Sequence, residues 1–142
     1  AQRMDWPVQF AVGVNSRLPY ADDYFDYMLC CSSCYYLDGA TTWPEVRSEL
    51  ARVLKPGGLL VTNFPDRLNA VLVDALPQPD GSLLITGDPF GLRNGTRFMI
   101  AESAQDVAEL LLPQFSTLAT GHQNDDFYGL RVSGYLAVAK KA

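Results

Sequence analysis

The 142-residue chain gathers its three cysteines and two adjacent tyrosines into Cys30-Cys31-Ser32-Ser33-Cys34-Tyr35-Tyr36-Leu37. Cys31 and Cys34 have CxxC spacing, which after a strand suits a thiol redox pair. Cys30, Cys31 and Cys34 with the single His122 also supply donor types for zinc. A lone CxxC is weak evidence for either, and small buried hydrophobes are the commoner use of Cys30 and Cys31. The phenols of Tyr35 and Tyr36 can hydrogen-bond a nucleophile or set a ring against a cation. Packing beneath a helix accounts equally well for one of them. Asp22-Asp23 reads as a polar turn, and a lone histidine in a loop, as His122 is, is usually solvated.

These residues sit inside a β-α-β unit running from Phe25 to Phe64. Phe25 to Cys31 and Leu59 to Phe64 are mostly apolar runs of strand length, the second continuous, as in a parallel strand buried on both faces. Between them, Thr42 and Glu45 have capping-box spacing and Pro44 falls in the first turn. Trp43, Val46, Leu50, Val53 and Leu54 then recur at helical spacing, with Glu45, Arg47, Glu49 and Arg52 on the other face. Lys55 suits the last turn, and Pro56-Gly57-Gly58 stops the helix. A right-handed crossover joins the two strands.

Leu18-Pro19-Tyr20, then Asp23-Tyr24-Phe25-Asp26, then Arg52-Val53-Leu54-Lys55-Pro56-Gly57-Gly58 resembles the second half of a class I S-adenosylmethionine-dependent methyltransferase. The resemblance implies an α/β fold: a partial Rossmann-like sheet, mainly parallel, with an antiparallel last strand and helices on its faces. It implies S-adenosylmethionine as cofactor and methyl transfer to a small-molecule oxygen or nitrogen. Architectural motifs speak more strongly for the fold than for the activity. Tyr35 and Tyr36 take the catalytic positions, where the family more often has an acidic residue and a histidine. Asn15, Ser16, Cys30, Cys31 and Ser32 take the cofactor side. Val14 stands where the family often has an acidic residue bonding the adenine.

The family's first strand, glycine-rich loop and second strand would precede Trp6, and no GxG occurs anywhere in the chain. With the family's strand order three-two-one-four-five-seven-six, the strand at Phe25 then forms an exposed apolar edge. The expectation is a preceding segment missing from this sequence, or a homodimer covering that edge. A non-catalytic binding or dimerisation module is the alternative function.

Elsewhere the alternation Val8, Phe10, Val12, Val14 predicts a strand over 6–14. Residues 65–101 read as an insertion that could roof a substrate pocket. It holds a short helix or strand at 68–76, strands at 82–86 and 97–101, and turns at Gln78-Pro79-Asp80-Gly81 and Arg93-Asn94-Gly95. Arg93 and Arg97 read as surface charges that could meet an acidic substrate. Ser103 and Asp106 cap a second helix ended by Pro113. Strands follow at 115–120 and 135–140, joined through 123–129.

Hydrophobic residues make up 48% and charged residues 19%, as in an ordinary globular domain, and 142 residues suffice for one domain. A net charge of −5 with scattered Lys and Arg argues against a nucleic-acid or anionic-membrane face. No apolar run approaches the roughly 20 residues of a membrane span. An odd number of clustered cysteines makes no disulfide framework, which favours a reducing cytoplasm.

Overall fold

A computed structural model describes residues 8–142. The expected crossover is present: β1 (Phe25–Cys30) runs parallel to β3 (Leu54–Pro65), with α1 (Trp43–Val53) between them. Glu45 explains where α1 begins, since its carboxylate accepts both the Thr42 N–H at 2.7 Å and the Thr42 hydroxyl at 2.9 Å. Trp43, Val46, Leu50, Ala51 and Val53 form its buried face. The strand begins directly after Val53, so Lys55 and the Pro56-Gly57-Gly58 stop lie in β3. Gly58 permits this, because a side chain there would press on the Lys55 and Asp26 carbonyls at 2.9 and 3.0 Å.

The sheet continues with β7 (Phe115–Phe127) and β8 (Leu130–Lys141) in the order β1-β3-β8-β7. β8 is antiparallel to both neighbours, so β1, β3 and β7 point one way. Cys30 lies beside Thr62, and Val61 beside Val138. One face packs on α1 and on α2 (Ala104–Leu111), where Phe64, Phe115, Leu60, Val46, Val53 and Leu111 are fully buried. Burying such side chains is the main stabilising term, about 1.5–3 kcal/mol each. Ser103 caps α2 by accepting the Asp106 N–H at 3.1 Å. The two helices meet where the Trp43 indole N–H and an Arg47 N–H both reach the Leu110 carbonyl, at 2.7 and 3.1 Å.

A second, small sheet has the order β2-β6-β5-β4, from β2 (Tyr36–Leu37), β4 (Leu76–Pro77), β5 (Leu83–Leu84) and β6 (Arg97–Phe98). Three of its strands come from residues 65–101; the fourth is the end of the loop leaving β1. The expected strands at 82–86 and 97–101 shrink to two residues each, and 68–76 holds a 3-10 turn at Ala70–Leu72.

Two expectations need correction. Residues 8–13 form no strand despite their alternation; the backbone makes only an isolated bridge between Val14 and Arg17. Phe10 and Val12 are 94% and 98% exposed, so no packed face rewards the extended conformation. Trp6 and Pro7 lie outside the described residues. The supposed connection at 123–129 is itself mostly strand: β7 and β8 pair out to Phe127 and Leu130, with the turn at Tyr128-Gly129. Its residues are polar because this part extends past β3, whose last partner is Gly134, and both faces meet solvent.

Leu18-Pro19-Tyr20 is anchored rather than strand-like. Arg52 donates to the Tyr20 carbonyl at 2.8 Å, the Leu18 carbonyl at 3.2 Å and the Glu49 carboxylate at 2.6 Å. Glu49 in turn accepts the Leu18 N–H at 2.7 Å. The first and third motifs are thus one hydrogen-bonded unit, at the end of the sheet opposite the loop that leaves β1.

Candidate active site

The C-terminal end of β1 opens into a turn, Cys31 to Tyr35, before β2. Ser32 adopts a left-handed conformation (φ 54°), which non-glycine residues take only at a cost. Asn63, on the neighbouring β3, offsets that cost by accepting the Ser32 N–H at 2.6 Å. Cys31, Ser32 and Ser33 are exposed at the lip of the turn, while Cys34 and Tyr35 close its floor.

The thiols divide by environment. Cys34 is buried, its sulfur 2.9 Å from the Thr62 hydroxyl, and burial pushes its thiol up to about 12. Burial, followed by the neighbouring Cys31, pushes Cys30 up to about 11. Thiols this weakly acidic are poor nucleophiles and metal ligands at neutral pH. All three cysteines are free. His122 sits on β7, its Nε2 3.0 Å from Asp66, and is not brought to the cysteines. Among the described residues no cluster of three or more His, Cys, Asp or Glu could hold a metal.

Tyr35 and Tyr36 are stacked, ring centroids 5.1 Å apart and planes 19° apart, and both meet the Phe98 ring edge-on. Tyr35 is the packed member: it is 8% exposed, and burial above all pushes its phenol up to about 12. Tyr36 is half-buried, its hydroxyl accepting the Arg93 Nε–H at 3.0 Å. Nothing in the sequence links these two residues, which stand 57 positions apart. Arg93 is therefore no loose surface charge. Arg97 too is engaged, with Asp80 at 2.6 Å and the Thr41 carbonyl at 2.7 Å.

Asn15 lies against the same loop. Its side-chain amide donates to the Ser33 carbonyl at 3.0 Å and the Tyr36 carbonyl at 3.2 Å. With Val14, Ser16, Tyr36, Asp38 and Thr41 it lines a cavity of about 90 Å³. A larger cavity of about 480 Å³ opens between the N-terminal turn of α1, α2 and the Asp80-Gly81 turn, and no residue of the loop after β1 lines it.

Residues 1–62 match a family model described as a methyltransferase domain. No curated protein matches the chain. Among solved structures, a SAM-dependent methyltransferase of Methanosarcina mazei is similar over 94% of this chain and 66% of its own, at 19% identity and a TM-score of 0.67. The PH0226 protein of Pyrococcus horikoshii is similar over 96% of this chain and 60% of its own, at 25% identity and a TM-score of 0.62. A third is the 1,6-didemethyltoxoflavin-N1-methyltransferase of Burkholderia thailandensis, solved with 1,6-didemethyltoxoflavin and S-adenosylhomocysteine. It is similar over 90% of this chain and 48% of its own, at 15% identity and a TM-score of 0.57. The chain thus spans less than two thirds of each of these proteins. By the match of residues 1–62 and the course of its backbone, the chain has the class I S-adenosylmethionine-dependent methyltransferase fold.

Proposed function

We propose that the chain is the part of a methyltransferase that holds the methyl acceptor and one wall of the cofactor, and that the acceptor is a small-molecule oxygen or nitrogen. The observation that carries this reading is the turn after β1, pinned by Asn63, with the stacked tyrosines behind it and the small sheet built onto its end. When bound, S-adenosylmethionine would supply an electrophilic methyl group on a sulfonium, moved by in-line displacement. In such chemistry positioning and exclusion of water do most of the work, and no acid or base is obligatory.

The residues present fit one side of that cofactor. Cys31 and Ser32 offer an exposed polar lip, Cys30 the strand end behind it, and Asn15 and Ser16 the adjoining wall. Asn15 has spent its amide hydrogens on two carbonyls, which leaves its side-chain oxygen to face a ligand. Residues 65–101, three of whose strands join β2, are the proposed roof over the acceptor.

Calorimetric titration of S-adenosylhomocysteine into the folded chain tests the reading. Micromolar binding supports it; a folded chain that takes up none counts against it. A second reading, a non-catalytic dimerisation module, is favoured by β1, whose Tyr27 and Leu29 are each 75% exposed on a strand paired along one edge only among the described residues.

A further inference from the structure

Asp88 has a fully buried side chain, and its carboxylate organises the loop that follows. It accepts the backbone N–H groups of Phe90, Leu92 and Arg93 at 3.0, 3.0 and 2.9 Å, and an Arg93 guanidinium N–H at 3.2 Å. The guanidinium also lies over the Phe90 ring, 5.9 Å from its centroid. Arg93 is thus held at three points before it reaches Tyr36. Its Nε–H takes one lone pair of the Tyr36 hydroxyl, and the hydroxyl proton has no acceptor among the described residues.

That arrangement decides between the two roles open to Tyr36. A guanidinium bonded to the phenol oxygen draws charge from it, which weakens the neutral oxygen as an acceptor for a second donor and strengthens the O–H as a donor. A cation bonded to the hydroxyl also draws charge from the ring, one face of which Tyr35 already covers, so the ring is a poor seat for a second cation. What remains is donation. We infer that Arg93, fixed by Asp88, is a positioning residue that aims the Tyr36 O–H at an unprotonated carboxylate or carbonyl oxygen of the methyl acceptor. The inference rests on the methyl-transfer reading for calling that ligand the acceptor, but the clamp and its preference for a bare oxygen stand apart from it.

The test uses the chain with its tyrosine ring Cζ atoms labelled with carbon-13, Tyr36→Phe assigning the signal and sodium benzoate as probe. Benzoate is expected to move the Tyr36 signal saturably, and benzyl alcohol, which has no bare carboxylate, to move it far less. Arg93→Gln should weaken the benzoate response by roughly fivefold or more and Arg93→Lys should recover part of it, as expected for a directed charge-assisted contact. S-adenosylhomocysteine affinity should be the same in all three. The inference is overturned if benzoate leaves the wild-type signal unmoved, if benzyl alcohol moves it as far as benzoate does, or if folded Arg93→Gln responds as wild type does. If S-adenosylhomocysteine fails to bind while the Arg93-dependent benzoate response persists, the methyl-transfer reading fails and the clamp stands.

Discussion

Asn63 on β3 holds Ser32 in the turn after β1: its side-chain oxygen accepts the Ser32 backbone N–H at 2.6 Å, at a residue whose φ is 54°. The strained residue and its support are 31 positions apart, so the turn after β1 keeps its shape only while β3 lies alongside. Asn63→Ala should cost about 1 kcal/mol, a typical hydrogen bond. Ser32→Gly should be neutral or stabilising by up to about 1 kcal/mol, because glycine takes φ > 0 without strain. Urea unfolding of both variants checks the pair; Ser32→Gly destabilising by more than Asn63→Ala would contradict the account.

The cysteines should behave unequally. Burial pushes Cys34 to about 12 and Cys30 to about 11, while Cys31 is exposed. In the native protein at pH 8, a disulfide reagent should therefore modify one thiol quickly and the other two only on unfolding. Cys31→Ser should abolish the fast phase. Rapid reaction of two thiols with closure of a Cys31–Cys34 disulfide would revive the redox reading.

Stability should fall in acid. Burial alone would raise Asp66, but hydrogen bonds from Ser133 and then His122 outweigh it and leave the carboxyl below its ordinary value of 3.8. Asp88 is likewise held down by the Phe90 and Leu92 amides against burial, and Asp106 by the Glu102 amide and the Ser103 hydroxyl. Groups whose folded pKa is depressed stabilise above the unfolded value, and that contribution disappears as pH falls through the folded one. The urea midpoint should accordingly drop between about pH 5 and pH 2. Asp88→Asn should make that drop shallower while lowering the midpoint at neutral pH.

The uncovered edge of β1 should make the chain self-associate. Tyr27 and Leu29 present apolar side chains on a strand whose outer edge has no partner among the described residues, the arrangement that recruits another strand. Sedimentation velocity at micromolar concentration should show dimers, and Leu29→Lys should return monomers without loss of fold. A wild-type chain that stays monomeric throughout would remove the proposed homodimer.

What could be seen in the sequence was whatever local pattern encodes. Thr42, Glu45 and Pro44 announce α1, and the apolar runs at 25–31 and 59–64 announce two strands, because caps and apolar runs are short-range signals, though only the second strand has residues that are fully buried. The Arg93–Tyr36 and His122–Asp66 contacts join residues 57 and 56 positions apart. Only the finished topology brings them together. The two-residue strands of the small sheet are too short for any period to show, and the polar half of the β7–β8 hairpin has no buried face to mark it. In the other direction, Val8, Phe10, Val12 and Val14 show a strand's alternation without a strand, since a pattern forms a ladder only where a neighbour pairs with it.

The position of β8 has a consequence for how the molecule can be made. It follows every other strand among the described residues, yet it occupies the interior of the sheet between β3 and β7. During synthesis β1, α1 and β3 can assemble as they emerge, but β7 has nothing to pair with until residues 130–141 follow. Without residues 130–141, β3 would be open along one edge and β7 along both, so this sheet closes in a single late step when β8 inserts rather than strand by strand.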